Sequence, residues 1–231
     1  MTERLLTLKE KYLLLAYHPE KGRPLSQYLP FGLAGAVLLE LADMERITLK
    51  GTRIMLNDAT SCSDPVLDLV VKEIARARST KKIPAWINRF VRFRFRRLLK
   101  TMVLEEMIAK RVMKKEEARF LFIFKYFKYF PYETRKRNDL IKNIRDKVLR
   151  NQDVEKDILF LIALVGATFM ERRVFERSER KLANKKIKEI SSENGMATIA
   201  NETMKAVKSA IVASIVAATV ATSAASSASS H

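Results

Sequence analysis

The apolar residues of this chain recur mostly at helical spacing. Thr7-Leu8-Lys9-Glu10 precedes Tyr12-Leu13-Leu14-Leu15, and a Thr and a Glu three apart can cap each other across a first turn, so a helix is predicted from Leu8. Pro19, Gly22, Pro24 and Pro30 then predict a loop. From Phe31 to Glu45, Leu33, Val37, Leu41 and Met44 share one stripe, which predicts a buried helix. Ile47-Thr48-Leu49 and Arg53-Ile54-Met55-Leu56 flank Lys50-Gly51 and read as a short hairpin turning at Gly51. Asp64-Pro65 places an N-cap before a proline, opening a helix to about Arg78.

Pro84 predicts the start of another helix. Trp86, Phe90 and Phe93 fall at i, i+4 and i+7, with Arg89, Arg92, Arg96 and Lys100 along the adjacent stripe, and the helical pattern continues from Leu104 to Met113. Phe120 to Phe124 is β-prone, and the aromatic run reaches Phe130 with Lys125 and Lys128 interrupting it. That segment reads as a buried strand or an oligomer contact, so a homo-oligomer is among the expected partners. Further helices are predicted over 138–150, 154–170, 173–190 and 196–222, before an Ala/Ser-rich end over 223–231. The expectation is a mainly α fold: one helical domain over 1–222 and a low-complexity tail over 223–231. The longest apolar stretches, 158–170 and 210–221, fall short of the roughly 20 residues a spanning helix needs and read as buried helices.

Composition narrows the function classes. With 48% apolar residues, six Gly and six Pro in 231 residues, the chain can build a core and is neither disordered nor collagen-like. A single cysteine, Cys62, excludes a disulfide framework and fits a reducing compartment. Glu3 and Glu10 near the N-terminus, with no small-residue cleavage site, argue against a signal peptide. The net charge of +18 is concentrated: residues 76–150 hold 24 bases and 7 acids, and Arg76 to Lys100 holds ten bases and no acid. One-sign clustering of this density points to an anionic partner, phospholipid headgroups or nucleic acid. The expected location is cytoplasmic and peripherally membrane-associated.

Catalytic chemistry has little support. The six glycines (22, 32, 35, 51, 166 and 195) fit neither nucleotide-binding signature. His18 and His231 stand at opposite ends of the sequence, and Cys62 has no sulfur partner, which argues against a metal site. Ser79…Lys82 and Ser178…Lys181 match Ser-x-x-Lys, as chance allows in a Lys-rich chain, and Glu105-Glu106 and Glu116-Glu117 are adjacent rather than on one helix face. No enzyme and no cofactor are expected.

Several segments, in order, resemble the Golgi phosphoprotein 3 family, especially its compact prokaryotic members. They are Leu6-Thr7-Leu8-Lys9-Glu10 with Tyr12 to Leu15, Gly32-Leu33-Ala34-Gly35-Ala36-Val37-Leu38-Leu39-Glu40-Leu41-Ala42, and Glu45-Arg46-Ile47-Thr48-Leu49. Asp58-Ala59-Thr60, Asp64-Pro65-Val66-Leu67-Asp68, Leu140-Ile141-Lys142 and Leu159 to Ala167 follow. The resemblance implies a hydrophobic helical bundle wrapped by amphipathic helices with short β-hairpins. It further implies a peripheral membrane protein binding phosphatidylinositol 4-phosphate or a similar anionic headgroup, and a membrane adaptor for the cytoplasmic tails of other proteins.

The family's headgroup pocket uses a Trp in the loop before the second helix and an Arg in a Gly-Leu-Arg-Gly motif. This sequence has Leu25 and Tyr28 in that loop and reads Gly32-Leu33-Ala34-Gly35. The resemblance assigns the remaining pocket bases near Leu140-Ile141-Lys142, giving Arg137, Lys142 and Arg145, with Tyr28, as headgroup-binding candidates. From the charge pattern, Arg89, Arg92, Arg94, Arg96, Arg97, Lys100 and Phe95 are the expected membrane-facing residues. Each base near an anionic surface contributes about 1 kcal/mol, so six acting together suffice for reversible docking. Trp86, Phe90 and Phe93 read either as interfacial anchors or as core. An alternative reading takes the helix before Ile47 and the hairpin after it as a winged-helix nucleic-acid binder, although Glu40, Asp43 and Glu45 acidify that helix.

Overall fold

The computed structural model describes residues 5–50, 53–121, 123–150, 152–190 and six positions between 202 and 209. Its elements are α1 (Leu8–Ala16), α2 (Leu29–Asp43), β1 (Ile47–Lys50), β2 (Arg53–Leu56), α3 (Pro65–Ala75), α4 (Ile83–Phe90) and α5 (Phe93–Ala109). They continue as β3 (Met113–Phe120), β4 (Phe124–Pro131), α6 (Thr134–Leu149), α7 (Lys156–Ala167), α8 (Glu171–Val174) and α9 (Arg180–Ile190). The fold is mainly α with two antiparallel hairpins, β1–β2 and β3–β4.

The helices without a polar face form the centre. α2 is buried at ten of its fifteen positions and α7 at nine of twelve, so both are enclosed by other elements. Two glycines let α2 approach its neighbours. A Cβ on Gly32 would lie 2.1 Å from the Tyr12 hydroxyl, and one on Gly35 would lie 2.9 Å from Leu164 Cδ2. The amphipathic helices wrap this centre, α3 presenting Val66, Leu67, Val70, Val71 and Ile74 to it. The predicted caps hold: Glu10 accepts the Thr7 backbone N–H at 2.9 Å, and Asp64 accepts those of Val66 and Leu67 at 2.9 and 3.1 Å.

Two predicted helices are interrupted. The segment expected to run from Pro84 to Met113 breaks after Phe90, with Arg92 extended as the N-cap of α5. The break lets Phe95 continue the ring stack, Trp86 to Phe90 at 5.6 Å and Phe90 to Phe95 at 5.0 Å, and turns Phe93 outward. α5 ends at Ala109, Arg111 takes a positive φ of 55°, and Met113 opens β3. The predicted strand over 120–124 is instead the tip of a hairpin pairing Met113 with Pro131 through Phe120 with Phe124. The run over 173–190 divides at an extended Phe175 into α8 and α9. The predicted helix over 196–222 meets described residues at only six positions, all helical, while the 223–231 tail and the Gly51 turn lie outside them.

Candidate anion-binding site

Leu99, Val103, Leu104 and Met107 set the inward face of α5. With those residues in the core, the bases of its first turns are left toward the segment that leads into α2. Between them is a cavity of about 460 Å³, lined by Ser26 and Gln27 on one side and by Phe93, Arg96, Arg97 and Lys100 on the other. Among the described residues no carboxylate lines it. Burial, and then the charges of Arg96 and Arg97, hold the Lys100 ammonium below its ordinary value. The Arg96 guanidinium stands 5.6 Å from the Phe93 ring centroid. Arg96 and Arg97 are exposed and Lys100 is half-buried, and three cations so close, with no acid among the described residues of the lining, lower their energy by taking up an anion.

The far wall is fixed by Ser26, whose hydroxyl donates to the Thr168 carbonyl at 3.2 Å and accepts the Tyr28 N–H at 3.1 Å. The Tyr28 ring packs on Phe169 at 5.6 Å and on Phe31 at 6.5 Å.

The β3–β4 hairpin carries a second surface feature. At its tip Leu121 is 65% exposed, Ile123 77% and Phe124 63%, with Tyr126 and Phe127 also exposed. Lys115 stands 4.0 Å over the Phe127 ring and Lys114 5.4 Å over that of Phe130, so cations flank an apolar end.

The sequence model of Golgi phosphoprotein 3 (GPP34) matches residues 8–213. The chain belongs to the Golgi phosphoprotein 3 family.

Within this family member, the residues expected to form the site separate into distinct groups. Arg96, Arg97 and Lys100 meet at the cavity, beside the same pre-α2 loop from which the resemblance drew Tyr28. Arg92 and Arg94 are exposed nearby in sequence, whereas Arg89 is tied to Glu73. Phe95 is half-buried in the ring stack with Phe90, and Trp86 and Phe90 are core. Phe93, 67% exposed, is the aromatic of that group left at the surface.

None of the three α6 candidates lines the cavity. Arg145 donates to Glu179 at 2.7 Å and to Glu176 at 3.1 Å, and these bonds raise its value further. Arg137 is buried, with its own value lowered by burial and its Nε without a hydrogen-bond partner among the described residues. Lys142 is exposed. Ala34 is fully buried within α2, so that corner supplies no charge. The winged-helix arrangement is also missing, because α2, the helix before β1–β2, lies in the core rather than on a face open to a groove. Of the two readings of the aromatic run, the buried strand is excluded, because Leu121, Ile123, Phe124, Tyr126 and Phe127 are exposed. The sequence signal of that exposure was the pair of lysines, Lys125 and Lys128, set into the run.

Proposed function

We propose that this Golgi phosphoprotein 3 family member docks peripherally on the cytoplasmic side of a membrane. The cavity between α5 and the pre-α2 loop takes the headgroup of an anionic phospholipid of the phosphatidylinositol 4-phosphate type. The observation that carries this reading is the convergence of Arg96, Arg97 and Lys100 on one cavity whose lining, among the described residues, holds no carboxylate. At about 1 kcal/mol per base, these three with Arg92 and Arg94 supply about 5 kcal/mol before screening. The hairpin tip adds apolar area for the headgroup–acyl boundary. Among the described residues no helix is long and apolar enough to cross a membrane, which agrees with docking rather than spanning. Family membership supports an adaptor role at that surface, holding the cytoplasmic tails of membrane proteins.

The test is co-sedimentation with vesicles of neutral lipid, neutral lipid with phosphatidylserine, and neutral lipid with phosphatidylinositol 4-phosphate, across a salt series. Binding to the anionic vesicles that falls with salt, and that drops about a hundredfold in an Arg96→Ala, Arg97→Ala, Lys100→Ala triple variant, is expected. Equal binding to neutral vesicles, or a triple variant that binds like the parent, overturns the reading. Displacement from anionic vesicles by duplex DNA at equimolar phosphate overturns it in favour of a nucleic-acid partner.

A further inference from the structure

The cavity and the hairpin are held by the same two parts of the molecule. One is α5, which lines the cavity near its start and runs at its other end into β3. There the Val112 N–H donates to the Met107 carbonyl and the Tyr132 N–H to the Val112 carbonyl, both at 2.8 Å. The other is the segment from Tyr17 to Pro30. Its later residues, Ser26 and Gln27, line the cavity, and its earlier ones clamp the base of the hairpin.

The clamp is at Gly22. Its carbonyl accepts the Tyr129 N–H of β4 at 2.9 Å, and the Tyr17 ring meets the Tyr129 ring edge-on at 5.8 Å. Gly22 is buried with φ 60°, and a Cβ there would stand 2.6 Å from Phe130 Cζ and 2.8 Å from Lys128 Cβ. Both the backbone angle and the closeness of the hairpin therefore demand glycine.

Between clamp and cavity the segment is braced to itself and to the end of α1. The His18 N–H donates to Arg23 O at 2.9 Å and the Gly22 N–H to His18 O at 3.1 Å, while the Leu25 N–H donates to Ala16 O of α1 at 2.8 Å. The His18 Nδ1 accepts the Glu20 and Lys21 N–H groups at 3.1 and 3.2 Å. These bonds leave the loop few independent degrees of freedom and form a continuous path from the neighbourhood of Ser26 to Gly22.

We propose that the 17–30 segment is a strut coupling the cavity to the hairpin, with Gly22 as the positioning residue at the coupling point. This rests on the cavity being an anion site. Arg96, Arg97 and Lys100 repel one another, and an anion held among them and the Ser26–Gln27 wall draws α5 and the segment together. The same movement tightens the clamp on Tyr129. Headgroup binding thus orders the hairpin for insertion, and by linkage an inserted hairpin raises headgroup affinity by the same factor.

The experiment uses the full chain and inorganic pyrophosphate as the probe. Calorimetry reads binding, and NMR-detected hydrogen exchange reads the Tyr129 amide. Pyrophosphate is expected to bind and to slow exchange at Tyr129 several-fold. Lys100→Met is expected to weaken the binding about fivefold and to need correspondingly more pyrophosphate for the same slowing, and Gly22→Ala to keep the binding while losing the slowing. Binding without any change at Tyr129 in the parent protein overturns the coupling and leaves the anion site standing, whatever the folding of the Gly22 variant. Slowing as large in a folded Gly22→Ala as in the parent removes Gly22 from the path. No binding of pyrophosphate overturns the anion site and the coupling together.

Discussion

Lys9 and Glu40 form an ion pair inside the molecule, with the ammonium fully buried and 3.0 Å from the carboxylate. Asp64 closes the other side at 2.5 Å, so α1, α2 and the N-cap of α3 meet at one cation. Removing one partner of such a set strands the others away from water, which typically costs 3–5 kcal/mol, about what Lys9→Met is expected to lose in urea denaturation. A loss below about 1 kcal/mol shows that water reaches Glu40 and Asp64 and that the set is not structural.

The same set gives the fold an alkaline limit. Burial pulls the Lys9 ammonium down, but Glu40 and Asp64 outweigh it and leave its folded value above the ordinary 10.5. For a base raised on folding, the stabilisation is complete below the unfolded value and disappears as pH climbs through the folded one. Stability of the parent should therefore fall more steeply with pH above about 10.5 than that of Lys9→Met, as followed by circular dichroism.

Lys100 carries the opposite sign. Burial and the charges of Arg96 and Arg97 lower its folded value, so the folded state holds its proton less well than the unfolded chain, and this burden eases as pH rises. Lys100→Met is expected to raise the melting temperature at neutral pH while weakening binding to anionic vesicles about fivefold. Parallel loss of stability and binding contradicts a cavity that stores like-charge repulsion.

The hairpin tip separates apolar from electrostatic docking. Ile123 is 77% exposed, so Ile123→Asp should leave urea stability within about 0.5 kcal/mol of the parent. Vesicle binding should weaken while the slope of binding against salt changes little, because no base is removed. If binding is unaffected, the tip does not reach the acyl boundary.

Much of the fold was legible because its signals are local. The Thr7 and Asp64 caps, the apolar stripe of α2 and the β1–β2 pairing each depend on residues within a few positions of one another. The site was less so. Nothing in the spacing of Arg96, Arg97 and Lys100 indicates that the loop holding Ser26 packs beside them, some seventy positions away in sequence. The charge cluster was visible, but which of its members face a cavity depends on the break at Val91–Arg92, which also sets Phe95 on Phe90. β3 escaped notice because Lys114-Lys115-Glu116-Glu117 has no apolar alternation, its partners being the aromatics of β4.

Arg145 decides between the two places where headgroup-binding bases were sought. On α6 its guanidinium is held by Glu176 and Glu179 from the stretch leading into α9, so its charge is matched where it stands, while the bases of α5 face a cavity lined by no acid among the described residues. Its pair is partly exposed, and such bridges contribute about 0–1 kcal/mol. Arg145→Ala should therefore cost about 1 kcal/mol or less in urea denaturation and leave binding to phosphatidylinositol 4-phosphate vesicles within about twofold of the parent. Arg97→Ala, measured beside it, should weaken that binding about fivefold with little change in stability. The reverse ranking of the two variants returns the headgroup site to α6 and removes the functional reading of the α5 cavity.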